Sequence, residues 1–182
     1  MEFHATDVAG AFRIEPRPFE DDRGYFMRAY CRHEMHDAGI EVDFIQANMA
    51  GSTHRGTLRG LHYQVAPNEE GKLVRCIRGS IFDVVVDIRP DSETFGRWAG
   101  VELTHQNRQM LYIPPGCAHG YLTLEEQSEV YYLVSAEYAP ESERGICWDD
   151  PAFAIDWPIA ENLILSDKDQ AWPPFKPNTA HS

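Results

Sequence analysis

Two short stretches of this sequence carry histidine in settings suited to chemistry. Gly56-Thr57-Leu58-Arg59-Gly60-Leu61-His62-Tyr63-Gln64 brings His62 to the end of a strand-like run, and Pro114-Pro115-Gly116-Cys117-Ala118-His119 brings His119 out of a turn. Histidine has an unperturbed pKa of about 6.5, so it takes and returns protons near neutral pH. It is also a metal ligand, and a first-row ion wants about three or four N, O or S donors. His62, His119 and Glu69 would supply three, with neutral Gln64 a poor fourth. Residues 54–78 hold five basic side chains (Arg55, Arg59, Lys72, Arg75, Arg78) and two acidic ones (Glu69, Glu70), a local charge of +3. A cationic pocket of this kind suits a small anion such as a diphosphate, and ordinary surface variation would produce the same excess. The other histidines have no such setting. His33-Glu34-Met35-His36 lacks the spacing of the zinc-binding H-E-x-x-H helix, and His4, His54, His105 and His181 show no partner cluster.

The elements that must position these residues read as strands. In 81–88, Phe82, Val84, Val86 and Ile88 fall on one face and Asp83 and Asp87 on the other. Residues 73–78 alternate as well, and Gly79-Ser80 between the two runs predicts a hairpin turn. Further strands are expected at 12–15, 24–30, 44–50, 57–64, 97–103, 110–113, 120–124, 129–135 and 145–147. Val130, Tyr132 and Val134 share a face, which suits the inside of a barrel. Strict alternation puts Arg59 and His62 on opposite faces, so either Gly60 marks a bulge or Arg59 serves a neighbouring site. Two short helices complete the pattern. One covers 33–38 and is closed by Gly39, and the other opens with the capping pattern Ser166-Asp167-Lys168-Asp169. Many short strands with few helices predict an all-β fold, a jelly-roll sandwich or barrel. One domain over 1–182 is expected, with its core at about 10–170 and an extended tail from Trp172 to 182.

Composition narrows the function. A formal charge of −13 over 182 residues argues against a nucleic-acid binder. No apolar run approaches the roughly 20 residues a membrane span needs, and the first seven residues lack the pattern of a signal peptide, so a cytoplasmic location is expected. Cys31, Cys76, Cys117 and Cys147 form no C-x-x-C pair and read as reduced thiols.

The two histidine stretches resemble the paired signatures of the cupin superfamily, with Gln64 where a metal-binding cupin has its second histidine. Longer strings are more specific. R-G-T-L-R-G-L-H-Y-Q (55–64), G-K-L-V-R-C-I-R-G (71–79), F-D-V-V-V-D-I-R (82–89), I-P-P-G-C-A-H-G (113–120), Y-A-P-E-S-E-R-G (138–145) and L-S-D-K-D-Q (165–170) resemble, in order, the dTDP-4-dehydrorhamnose 3,5-epimerase family. The likeness runs from about residue 19 to residue 170. It implies a cupin-type jelly roll that uses no cofactor or metal and acts on a nucleotide-linked 4-keto-6-deoxyhexose, dTDP-4-keto-6-deoxyglucose first among them. The carbons flanking the ketone, C3 and C5, would be inverted through an enolate.

The resemblance implies His62 as base, Asp169 as the carboxylate that orients it, Lys72 beside the developing oxyanion and Tyr132 as the acid on the opposite face. Arg23, Gln46, Asn48, Arg59, His119, Glu143 and Lys168 would bind substrate, and Tyr138 would stack on the nucleotide base. Each has a plainer reading. Asp169 completes a capping box with Ser166, Lys72 is a charge beside an acidic turn, and His62, His119 and Tyr132 would suit a core. The sequence departs from the family at Arg28, often Glu there, and at Gln46-Ala47-Asn48-Met49-Ala50. Both lie on the nucleotide side of the family pocket, so a CDP- or GDP-sugar also fits. A C3-only epimerase, a ketoisomerase and a metal-dependent cupin oxygenase are the alternative activities. A homodimer is expected, with the N-terminal strands free to add to a partner's sheet.

Overall fold

The computed structural model describes residues 1–176. The predicted tail residues 177–182 lie outside it. Thirteen strands form here: β1 (Glu2–Ala5), β2 (Phe12–Glu15), β3 (Phe19–Asp21), β4 (Gly24–Phe26), β5 (Gln46–Ser52), β6 (Leu58–Gln64), β7 (Lys72–Arg78), β8 (Ser80–Asp87), β9 (Trp98–Thr104), β10 (Met110–Ile113), β11 (Cys117–Thr123), β12 (Ser128–Val134) and β13 (Glu143–Gly145). Helix α1 (Arg32–Asp37) precedes β5 and α2 (Asp167–Gln170) follows β13. One antiparallel sheet runs β1-β2-β10-β7-β12-β5, a second runs β13-β6-β11-β8-β9, and β3-β4 stands apart as a hairpin. This is the expected cupin-type β-sandwich. No helix among the described residues is long and apolar enough to cross a membrane.

Three apolar layers hold it. Val74, Cys76, Leu111 and Val130 of the first sheet meet Ile81, Val85, Leu103 and Tyr121 of the second in the interior. The outer face of the second sheet (Leu58, Val84, Val86, Leu122) is covered by Ile146, Phe153 and Trp157 from the segment after β13. Outside the first sheet, Ile14, Leu73 and Met110 are covered by Met35 of α1 and by Ile40. Strand β8 is therefore apolar on both faces. Its two aspartates, each 0 % exposed, point inward beside Ile81 and Val85, not to solvent.

The expected hairpin at Gly79 does not form. There β7 stays in the first sheet with β10 and β12, and β8 enters the second with β11 and β9. Gly79, at φ 73°, makes the step between sheets, and a Cβ on it would strike Ser128. Local alternation sees two strands and a turn, while the choice of partners is made by distant segments. The tail is also less free than expected. Cys147 donates its backbone N–H to the Pro173 carbonyl at 3.0 Å, Phe175 donates to Asp150, and the Phe175 ring packs on Phe153. The four cysteines are free thiols, and burial pushes Cys76 to about 11 and Cys117 to about 12.

Asp87 fastens the end of β8. It accepts from Arg89 Nε (2.9 Å), Ser92 Oγ (2.5 Å) and Thr94 Oγ1 (2.6 Å). Burial alone would raise its carboxyl, but these bonds overcome that and bring it to about 2. A depressed carboxyl stabilises the fold above its unfolded value near 3.8 and loses that contribution as pH falls toward 2. The shift corresponds to about 2 kcal/mol. Asp87→Asn should therefore be less stable in urea at pH 7, and its gap from the parent should close between about pH 4 and pH 2. A gap that persists at pH 2 would assign the effect to packing.

Candidate active site

The site begins with an irregularity in β6. Across β6 and β11, His62 faces His119 and Arg59 faces Tyr121, so β6 uses one residue more than its partner. The extra residue is at Gly60, φ 135°, where a Cβ would run into the backbone of Gly120. The bulge resolves the alternation question by placing Arg59 and His62 on the same face. Arg59 is exposed and does not line the cavity that His62 enters; it donates to the Gly51 carbonyl (3.0 Å). It is near enough to Tyr132 for its charge to act on the phenol.

His62 Nε2 meets Asp169 Oδ1 at 2.5 Å. Asp169 is 5 % exposed and sits in α2, whose N-cap is Ser166. Ser166 Oγ accepts from the Asp169 backbone N–H (3.1 Å) and donates to Oδ2 (2.9 Å), so capping and orientation are one arrangement. Burial pushes the Asp169 carboxyl up, but His62, through hydrogen bond and charge, and Ser166 outweigh it and hold the group below the usual aspartate range. An ionised carboxylate only accepts, so Nε2 is the donor, and in a neutral imidazole the lone pair is then on Nδ1.

His62 opens on a cavity of about 400 Å³ together with Gln46, Asn48, Lys72, Tyr132, Tyr138 and Glu143. Pockets for small ligands run from about 300 to 1,000 Å³. Lys72 Nζ is 3.0 Å from Glu70, and both side chains are nearly buried, so the ammonium is fixed as well as charged. Burial raises the Tyr132 phenol, Glu70 adds to the rise and Arg59 opposes it; the net shift is upward, so the group stays protonated at neutral pH. At the rim Glu143 accepts from Tyr138 Oη (2.6 Å) and Lys168 Nζ (2.5 Å).

Other expected residues lie elsewhere. His119 is buried and bonded through Nε2 to Asp83 Oδ1 at 2.8 Å, and it is absent from the cavity lining. Arg23 projects from the β3-β4 hairpin with its side chain 90 % exposed and paired to Asp21. Arg28, tied to Glu34 at 2.7 Å, and exposed Met49 also lie outside the cavity. Gln64, in the second cupin-histidine position, uses its amide to hold the Asn68 and Glu137 carbonyls and the Ala139 N–H. The metal reading loses its ligand set, because the donor atoms of His62, His119 and Glu69 do not gather within 4.8 Å of one another, and Glu69 lines a separate cleft of about 870 Å³. His4 does have companions: Glu2 and Glu15 lie within 4.8 Å of it, although Arg17 and Arg13 pair with those carboxylates. Glu70 and Asp83 are the partners that the sequence reading missed. A signal existed for each, in the short step from Glu70 to Lys72 and in an acid placed on an otherwise apolar strand.

This constellation can take a proton from carbon on one side of a bound molecule and deliver one from the other, which is the work of a proton-transfer isomerase on a cupin-type scaffold. The family model described as dTDP-4-dehydrorhamnose 3,5-epimerase matches residues 5–177. A relative of that name from Methanothermobacter thermautotrophicus is 46 % identical, covering 100 % of this chain and 98 % of its own. The crystal structure of dTDP-4-dehydrorhamnose 3,5-epimerase from Elizabethkingia anophelis superimposes with a TM-score of 0.93 at 40 % identity, covering 96 % of both chains. That of dTDP-6-deoxy-D-glucose-3,5-epimerase from Legionella pneumophila, in complex with dTDP-4-keto-L-rhamnose, gives 0.90 at 40 % identity over 95 % of this chain and 92 % of that one. The chain belongs to the dTDP-4-dehydrorhamnose 3,5-epimerase family.

Proposed function

We propose that the His62 cavity inverts C3 and C5 of dTDP-4-keto-6-deoxyglucose, the epimerisation step of dTDP-rhamnose biosynthesis. The observation that supports the reading is the His62–Asp169 pair, set in the wall of the cavity that Lys72 and Tyr132 also line. The ketone acidifies the hydrogens on both neighbouring carbons. His62 Nδ1 takes one of them, and the C–H electron pair moves into the ring to give an enolate with its charge on O4. The Lys72 ammonium stabilises that charge in a site sheltered from water. Tyr132 then protonates the same carbon from the far side as the O4 charge returns to a carbonyl, and the phenolate and imidazolium re-equilibrate with solvent. A second round inverts the other carbon.

Gln46 and Asn48, which line the cavity, would hydrogen-bond the sugar, and Arg59 and Lys168, outside its lining, would reach the diphosphate. Tyr138, exposed at the rim, offers its ring to the base. Arg23 does not fit this picture within one chain. Among the described residues its hairpin pairs with no other strand, and Phe19 and Phe26 are about three-quarters exposed. A homodimer in which the hairpin reaches a partner's cavity accounts for both facts, and a sedimentation mass equal to one chain would remove it. His119, held by Asp83 one strand away from His62, is taken to support the cavity wall. Residues 1–182 are taken as one functional unit.

The test is incubation with dTDP-4-keto-6-deoxyglucose in heavy water, followed by NMR. Deuterium is expected at both C3 and C5. Incorporation at C3 alone would reduce the activity to a monoepimerase, and incorporation at neither would end the proposal.

A further inference from the structure

The segment that follows α2 brings an indole to the base. The Trp172 ring meets the His62 ring edge-on, with centroids 6.2 Å apart and planes at 67°. Its other contact is Gly145 of β13, the residue opposite His62 in the β13–β6 ladder. A Cβ at Gly145 would overlap the indole, so the ring occupies the space a side chain would need. Lys168 Nζ lies 5.6 Å from the ring centroid. The indole Nε1 is buried without a well-formed hydrogen bond, and it is among the groups that help keep the Asp169 carboxyl low.

We propose that Trp172 is a positioning residue, a wedge that sets the His62 ring against Asp169 and keeps water from their hydrogen bond. The inference rests on His62 being the base. Helix α2 has only four residues, too few to be stable alone, so what it packs against must fix the place of Asp169. The chain on the far side of Trp172 is anchored independently of the site, by the Pro173 carbonyl on Cys147 and by Phe175 against Phe153. The indole is therefore held from behind and transmits that position to the imidazole. No chemistry passes through it.

Trp172→Ala should lower kcat about 10- to 100-fold with KM changed less than about threefold, and Trp172→Phe should recover most of the loss. Gly145→Ala keeps the indole and displaces it, so it should reproduce the deficit. In a Trp172→Ala background the same Gly145→Ala change should add almost nothing, because the two act through one contact. Thermal unfolding of each variant is read alongside. If Trp172→Ala does not fold, the Phe variant and Gly145→Ala decide the matter through the split between kcat and KM. An unchanged kcat in Trp172→Ala, no recovery with Phe, or losses that add in the double variant would overturn the proposal. Failure of the underlying reading looks different: the parent protein would show no deuterium uptake, or removal of the His62 imidazole would leave turnover intact.

Discussion

His62→Gln is expected to lower kcat by about 10³-fold or more while dTDP affinity changes only a few-fold. Glutamine places an N–H near the position of Nε2, so the buried Asp169 carboxylate keeps a donor and Ser166 keeps its own bond to it. What disappears is the lone pair at Nδ1. General-base contributions run to about 10²–10⁴, and one histidine here would serve both carbons, which places the loss toward the upper end. Deuterium uptake at C3 and C5 should stop together. Uptake that continues at either carbon would mean a second base in the cavity, and the assignment of His62 to both steps would fail.

Tyr132→Phe should separate two processes that the parent protein performs together. The ring stays, so its packing against the interior cluster of Val74, Val85 and Val130 is kept and only the hydroxyl is lost. Inverted product should form about 10²- to 10³-fold more slowly. Proton removal does not need the phenol, and a protonated His62 exchanges with solvent and can return a deuteron to the carbon it came from. Deuterium should therefore enter unreacted substrate faster than epimer appears. If uptake and inversion fall in parallel, the phenol is needed to form the enolate and is not the returning acid.

Much of the site could be read from local pattern. Val130-Tyr131-Tyr132-Leu133-Val134 alternates, which places Tyr132 inward with Val130 and Val134, and both valines are buried. The capping pattern from Ser166 to Asp169 is local too, and it placed the carboxylate on a helical turn. Other features depend on segments far apart in sequence. The bulge at Gly60 stood as one of two options until the strand opposite it was known. Alternation puts the aspartates of β8 together on one face, and polar residues at alternate positions usually face solvent. Both are buried: Asp83 is bonded by His119 from the neighbouring strand, and Asp87 by Arg89 just past the end of its own strand. Arg23 carries a family role, yet its hairpin holds it away from the cavity of its own chain. Trp172 gave no signal, since a tryptophan before Pro173-Pro174 looks like a loose end until the backbone of Cys147 is seen to hold it.

The proposed base and acid belong to different leaves of the sandwich, His62 to the leaf of β6 and Tyr132, with Lys72, to that of β12 and β7. Packed sheets stand roughly 10 Å apart, which leaves room for one pyranose ring and a short reach on either side. With those roles, stereochemistry is written into the thickness of the scaffold: the proton would depart toward one leaf and its replacement arrive from the other. A scaffold with both groups on one leaf would exchange protons and return the sugar unchanged.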